Sequence, residues 1–178
     1  MLLGAAVSAL VFLLLAGALR PRLGPVTAFS IAGLLWSLVV IGLVTLIPAH
    51  GAPGVVYADN RMASCSWDIG GPAPQGFWIF QSGQRALNTA LFVPAGALLV
   101  LAAARWRTAR WIVPVGLVLL AAYSAGIEYT QLELARIDRA CDVTDVVDNV
   151  TGAVLGVLFG LVLALVFRPW RRRGRPRR

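Results

Sequence analysis

Seven polar side chains of this sequence have the chemistry to bind a ligand or to exchange a proton, and they fall in three short segments. They are Asn88 in the first segment, Glu128 and Gln131 in the second, and Arg139, Asp142, Asp145 and Asn149 in the third. A carboxylate can act as a general acid or base, and an arginine can hold a carboxylate or a phosphate through two parallel hydrogen bonds. Each segment adjoins a long apolar stretch, which predicts that these residues lie near the ends of membrane-spanning helices.

The spacing within each segment places its polar residues on one face of a helix. In the third segment the acids and the amide share a stripe with two glycines: Asp142, Asp145, Asn149, Gly152 and Gly156. The other segments show the same periodicity, in Asn88, Phe92 and Gly96 and in Ser124, Glu128 and Gln131. We therefore expect three helices to present polar groups at one depth of a membrane and to form one site.

The composition indicates a lipid environment. Of the 178 residues, 58% are hydrophobic and 13% are charged, which is more apolar surface than a soluble domain of this size can bury. Uncharged stretches close to the length of about 20 residues that spans a bilayer predict an all-α integral membrane bundle with five transmembrane helices. Their predicted ranges are 2–19, 26–47, 86–104, 111–131 and 145–167.

The basic residues predict the orientation of the bundle. Arginines without accompanying acids occupy three segments: 20–22, 105–110 and the tail 168–178. By the positive-inside rule these segments face the cytoplasm, so the N-terminus lies outside and the C-terminus inside. The polar segments and the loop 48–85 then lie on the extracytoplasmic side of a multi-pass protein of the cytoplasmic membrane. Because these clusters account for the net charge of +8, we expect no nucleic-acid partner.

The two cysteines, Cys65 and Cys141, both fall in segments assigned to the oxidising side of the membrane. We expect a disulfide that ties the long outer loop to the start of the fifth helix. The alternative is two unpaired thiols that lie too far apart to meet. Two cysteines are too few soft ligands for zinc, and His50 is interpreted as a solvated residue, so no metal and no cofactor are predicted.

Burial in a membrane decides the expected roles of the charged residues. An ionisable group that faces lipid is strongly disfavoured, so Glu128 and Asp145 should turn inward towards partners. Arg136 and Arg139 are the expected counter-ions, and their guanidinium groups can hold carboxylates through paired hydrogen bonds.

Two further features of the fifth helix bear on the site. Asp142 could bind a ligand or cap the helix, and both interpretations stay open, whereas Asp148 lies off the stripe and is interpreted as a solvated or capping residue. The glycines of the stripe, together with Gly160, form a small-xxx-small pattern that allows close approach of a neighbouring helix. Close packing there would hold the polar residues in fixed geometry.

Three blocks of the sequence resemble, in order, the motifs of the VanZ-like family of bacterial membrane proteins: NTALFVPAG, SAGIEYTQ and RACDVTDVVDNVTGAVLG. The resemblance implies binding or packing roles for the positions that match: Asn88, Phe92, Pro94, Gly96, Glu128, Gln131, Arg139, Asp142, Asp145, Asn149, Gly152 and Gly156. It implies a VanZ-like four-helix domain at 26–167, with an additional helix and basic loop at 1–25 and a basic tail at 168–178. It also implies an envelope role, because the family's namesake is associated with low-level resistance to the glycopeptide teicoplanin.

The site and the resemblance support two functional hypotheses. In the first, the protein recognises a lipid-linked envelope molecule or a lipoglycopeptide antibiotic at the outer leaflet, where Arg139 could meet a phosphate. In the second, it is a membrane-embedded enzyme that modifies or hydrolyses an envelope lipid, with Glu128 and Asp145 as acid–base groups or, with Asp142, as ligands of a divalent ion. A transporter is less well supported, because the polar residues stop at one face of the membrane. Membrane lipids or lipid-linked precursors are the expected partners.

Overall fold

The computed structural model describes residues 1–47, 64–67, 83–134 and 141–170. In these residues it contains five helices and one isolated β-bridge, with no strand. The helices are α1 (Leu2–Leu23), α2 (Pro25–Leu46), α3 (Gly83–Ala103), α4 (Ala109–Leu134) and α5 (Val143–Phe167). All five are long and apolar enough to cross a membrane, which confirms the predicted class and the predicted number of spans.

The helix ends differ from the predicted ends by a few residues, because charged residues continue the helices. α1 runs on to Leu23 with Arg20 and Arg22 in its last turn, where a positive charge suits the negative end of the helix dipole. Gly24 then turns the chain with φ of 78°, a backbone conformation that favours glycine. Pro25 begins α2 at once, so α1 and α2 form a tight hairpin.

The other boundary differences have local causes at polar residues. α3 begins at Gly83 and includes Arg85, a charged residue that the sequence analysis had placed outside the span. α5 begins at Val143 because Asp142 caps it, the Asp142 carboxylate accepting a hydrogen bond of 2.8 Å from the backbone N–H of Thr144. Of the two interpretations of Asp142, the structure therefore supports capping.

Side-chain hydrogen bonds and a small apolar core hold the bundle together. The indole N–H of Trp36 donates to the Ala5 carbonyl oxygen at 3.0 Å, joining α2 to α1, and the Tyr123 hydroxyl donates to the Leu38 carbonyl oxygen at 2.7 Å, joining α4 to α2. The central core is shared by α2, α3, α4 and α5 and consists of Ile41, Phe92, Ala95, Leu99, Leu120, Ile127 and Ala153. α1 contributes no residue to this core and packs against α2.

The closest packing in the bundle joins α3 to α5, which run parallel. A Cβ atom added at Gly152 would overlap the Thr89 carbonyl group, and one added at Gly156 would overlap the Val93 carbonyl group. In the same way Gly160 lies against Ala97, one helical turn further along. The predicted close approach of the glycine stripe is therefore made to α3, backbone against backbone.

Replacing Gly156 with alanine should destabilise the protein by about 1–3 kcal/mol, because the new methyl group has to displace the α3 backbone. The matched control is Gly126→Ala in α4, where an added Cβ would have no other atom within 4 Å. That control should be neutral or stabilising by up to about 1 kcal/mol, since alanine is the better helix former. The free energy of unfolding in detergent measures both changes, and equal effects of the two substitutions would contradict the packing described above.

Candidate ligand-binding site

The predicted polar residues lie at the end of the bundle where α2 and α4 finish and where α3 and α5 begin. The Gln131 side-chain amide near the end of α4 donates to the carbonyl oxygen of Thr45 near the end of α2, at 3.0 Å. Both residues are buried, with exposed fractions of 2% and 6%. Thr45 escaped the sequence analysis because it contributes a backbone oxygen, for which the sequence carries no signal. The bond fixes the C-terminal end of α4 against α2.

Two contacts join α4 to α5 in this region. The Asn149 side-chain amide donates to the Ser124 hydroxyl oxygen at 2.9 Å. One turn further out on α4, Glu128 accepts a hydrogen bond of 3.1 Å from the backbone N–H of Asp142. Glu128 is 5% exposed and Ser124 fully buried, so the predicted polar face of α4 points into the bundle and towards α5.

A buried ion pair between α3 and α5 was not predicted. Arg85 donates from Nε and Nη2 to the two carboxylate oxygens of Asp148, at 2.9 and 3.0 Å. The Asp148 residue is 0% exposed, so its interpretation as a solvated or capping residue is wrong. Its position four residues before Gly152 was the available signal, because that spacing puts it on the face that meets α3.

The disulfide and the isolated bridge fix the chain where it enters α5. Cys65 is bonded to Cys141, with the Cα atoms 4.7 Å apart, as the sequence predicted. Ser66 then pairs with the chain around Asp142: its N–H donates to the Cys141 carbonyl oxygen at 2.9 Å, and its carbonyl oxygen accepts from the Val143 N–H at 3.1 Å. These bonds hold the Asp142 backbone N–H that donates to Glu128.

Several buried polar atoms of this region have no hydrogen-bond partner within the part of the chain that the structure describes. They are Asn88 Nδ2, Thr89 Oγ1, Gln131 Oε1 and Asn149 Oδ1. Each parent residue is at least nine-tenths buried. An unpaired buried polar group destabilises a protein by about 1–3 kcal/mol, so a ligand or water molecule that paired with these atoms would be favoured. We call these residues, with Ser124, the amide cluster.

The remaining predicted site residues have different positions. Asp145 is half-buried in the first turn of α5, where the helix dipole favours an acid. Arg136 and Arg139 lie outside the described residues, as do His50 and Asp138, so the expected ion pairs with the acids stay a prediction. Glu133 is exposed.

The residues predicted to pack between helices fall into two groups. Phe92 is fully buried in the central core. A Cβ atom added at Gly96 would overlap the backbone of Ala153 and Val157 of α5, as described for the other glycines. Pro94 is exposed on α3, so the structure does not support its predicted packing role.

The acids of the site do not form a cluster suited to a metal ion within the described chain. No group of three or more histidine, cysteine, aspartate or glutamate residues in this part of the chain has suitable geometry. The Asp142 carboxylate caps α5 and the Asp148 carboxylate pairs with Arg85. The described residues thus offer hydrogen-bonding amides and hydroxyls together with carboxylates.

Comparison with known proteins gives a family match over most of the chain. The sequence model of the VanZ/LLP1 family matches residues 28–168. The match includes α3, α4 and α5 with all the polar contacts of this candidate site, and it begins within α2, so α1 lies outside it. Neither the comparison with curated proteins nor that with solved structures found a match.

Breaking the buried ion pair should destabilise the protein strongly. Asp148→Leu leaves the Arg85 guanidinium buried without its carboxylate, and Arg85→Met leaves the carboxylate without its guanidinium, so each should cost about 3–5 kcal/mol of unfolding free energy. The double variant should recover most of this loss, because replacing both charges leaves none unpaired. Glu133→Gln is the control for charge removal at an exposed site and should change the free energy by less than about 0.5 kcal/mol. Additive effects of the two substitutions would contradict a direct pair.

Reducing the disulfide should lower the unfolding free energy by about 2–4 kcal/mol, since it releases the segment around Cys65 from the start of α5. Cys65→Ala should cause a similar loss, and the reductant should then have no further effect. Thermal unfolding with and without reductant measures both changes. Oxidised and reduced wild-type protein of equal stability would show that the link contributes nothing to this end of the bundle.

Proposed function

The chain belongs to the VanZ/LLP1 family, and from this premise we propose that it is a bacterial cell-envelope protein that binds a lipid-linked envelope molecule at the outer leaflet of the cytoplasmic membrane. A lipoglycopeptide antibiotic of the teicoplanin type has the same general chemistry, a polar group carried on an acyl chain, and is the other ligand that this site would accept. Binding would protect the envelope molecule or hold it for other proteins.

The observation that carries the proposal is the burial of polar side chains from three helices at one end of an apolar bundle. Asn88, Glu128 and Asn149 come from α3, α4 and α5 and are all at least nine-tenths buried. Polar groups in membrane spans are costly and in most cases serve a function. A group of buried polar side chains beside lipid-facing helices suits a molecule with a polar headgroup and an acyl chain.

The proposed sidedness rests on the opposite end of the bundle. There Arg105, between α3 and α4, donates a hydrogen bond to the carbonyl oxygen of Leu23, the last residue of α1. The two basic segments therefore lie together, and the positive-inside rule assigns this end to the cytoplasm. The amide cluster then lies towards the outer leaflet. The disulfide at the same end agrees with this assignment, because disulfides persist on the oxidising side of the membrane.

The apolar surfaces of α4 and α5 provide for the acyl part of the ligand. Val118 and Leu119 of α4 are more than 60% exposed, and Leu158 and Val162 of α5 each expose 57% of their surface. In a membrane these side chains contact lipid chains, so a bound molecule could keep its acyl chains in the bilayer while its headgroup contacts the amide cluster. Binding would then require no extraction of the lipid.

An experiment on the purified protein tests the proposal. Wild-type protein, Glu128→Gln and the exposed-site control Glu133→Gln are purified from the same bacterial membranes, and the co-purifying lipids are quantified by mass spectrometry against the bulk membrane. We expect the wild type and the control to retain one class of envelope lipid. Glu128→Gln should retain about tenfold less, because a neutral amide accepts weaker hydrogen bonds than a carboxylate. The amide oxygen can still accept from the Asp142 N–H, so the variant should fold.

The remaining outcomes separate the alternatives. Equal retention by all three proteins, or no enriched lipid in any of them, would contradict the binding proposal. A lipid that accumulates in Glu128→Gln and is chemically changed by the wild type would favour the enzyme hypothesis instead, with Glu128 as the acid–base group. Parallel binding measurements with a lipoglycopeptide and with a glycopeptide that lacks an acyl chain distinguish the two ligand sources.

A further inference from the structure

We infer that the site recognises the uncharged, hydroxyl-bearing part of its ligand, such as a sugar or polyol headgroup, and not a phosphate. The inference rests on the proposed function and adds the chemical class of the group that is bound. It depends on which hydrogen-bonding atoms of the amide cluster are unpaired and on how the nearby charges are used.

The amide of Gln131 sets the first requirement. Its Nε2 donates to the Thr45 carbonyl oxygen at 3.0 Å, and because a carbonyl can only accept, the orientation of this amide is fixed. The unpaired atom is therefore the acceptor Oε1. A group that satisfies it has to donate a hydrogen bond, which a hydroxyl or an N–H can do and an ionised phosphate diester cannot.

A second set of unpaired atoms, on α3 and α5, lies deeper in the bundle. The contacts of Arg85 with Asp148 and of Thr89 with Gly152 bracket one layer of the helix pair. In sequence, Asn88 lies between Arg85 and Thr89, and Asn149 lies between Asp148 and Gly152. Both amide residues therefore belong to that layer. Its unpaired atoms include the donor Asn88 Nδ2 and the acceptor Asn149 Oδ1.

Donors and acceptors together indicate a hydroxyl-rich group. A hydroxyl donates one hydrogen bond and accepts others, so neighbouring hydroxyls of a sugar can pair with both kinds of atom. The Thr89 hydroxyl is also unpaired and can pair with either a donor or an acceptor of the ligand. An ionised phosphate diester would leave the amide oxygens unsatisfied, and the penalty for those buried acceptors would remain.

The charges near the cluster point to the same conclusion. Among the residues that the structure describes, Arg85 is the buried basic side chain, and it donates from two nitrogens to Asp148. Its guanidinium is therefore already engaged by a carboxylate. A neutral headgroup needs no basic partner.

The decisive experiment compares three lipids with identical acyl chains on the wild-type protein. They are a monoglucosyl diacylglycerol, the corresponding phosphatidylmethanol, whose ionised phosphate diester has no donor, and the unmodified diacylglycerol. Binding is measured by native mass spectrometry in a polyoxyethylene detergent, which carries no sugar that could compete. We expect the glucosyl lipid to bind at least about tenfold more tightly than either of the others, the factor expected from one or two additional hydrogen bonds.

Variants locate the binding. Asn149→Leu, similar in size but without hydrogen-bonding atoms, should lower the affinity for the glucosyl lipid about tenfold and leave that for diacylglycerol unchanged. Thr151→Ala is the matched control on the same helix, since the Thr151 hydroxyl donates to its own helix at the Val147 carbonyl oxygen, and it should bind like the wild type. If Asn149→Leu fails to fold, Asn88→Leu replaces it, and the comparison of the three lipids on the wild type stands by itself.

Three results would overturn the inference. Tighter binding of phosphatidylmethanol would assign the site to a phosphate, with Arg139 as the candidate contact, and would leave the proposed recognition of an envelope lipid standing. Preference for the glucosyl lipid that survives in the folded Asn88→Leu and Asn149→Leu variants would place the sugar elsewhere. Equal binding of all three lipids would remove headgroup recognition altogether and with it the proposed function.

Discussion

The parallel packing of α3 on α5 is the constraint on which the site depends. Arg85 and Asp148 are separated by 63 residues, and the same separation recurs in the contacts of Thr89 with Gly152, of Val93 with Gly156 and of Ala97 with Gly160. Four contacts in one register, each a helical turn from the next, leave the two helices no freedom to slide. The glycines set the distance between the axes of α3 and α5. The ion pair completes the register at the end of these helices where the polar residues lie.

This register also explains how a membrane helix can carry a buried arginine and a buried aspartate. Either charge alone would be strongly disfavoured in an apolar bundle, but close backbone packing brings Arg85 and Asp148 to where both oxygens of the carboxylate are hydrogen-bonded. The layer of the bundle next to this ion pair contains amide and hydroxyl side chains, which are held by the same packing. The ion pair is therefore a positioning element for the amide cluster, since it fixes the two helices that supply Asn88 and Asn149.

The sequence predicted the large features because they depend on composition and period. Long uncharged stretches defined the five spans, and the glycine spacing predicted a close helix contact. Arg85 was missed because a charge beside an apolar stretch was taken as the end of the span, whereas the arginine is accommodated inside it by a partner 63 residues away. Which helix receives the glycines, and that Thr45 contributes a carbonyl oxygen, are consequences of tertiary packing that no local pattern encodes.

The site has two parts that depend on different interactions. At the surface, the disulfide and the bridge at Ser66 hold the chain before α5 and so place the Asp142 N–H against Glu128. Deeper in the bundle, Asn88 and Asn149 depend on the packing of α3 on α5 and on the ion pair between these helices. A disturbance of the segment around Cys65 should therefore reach the carboxylate of Glu128 first and leave Asn88 and Asn149 in register. A ligand that contacts both parts would link this covalently fixed segment to the packed interior of the bundle.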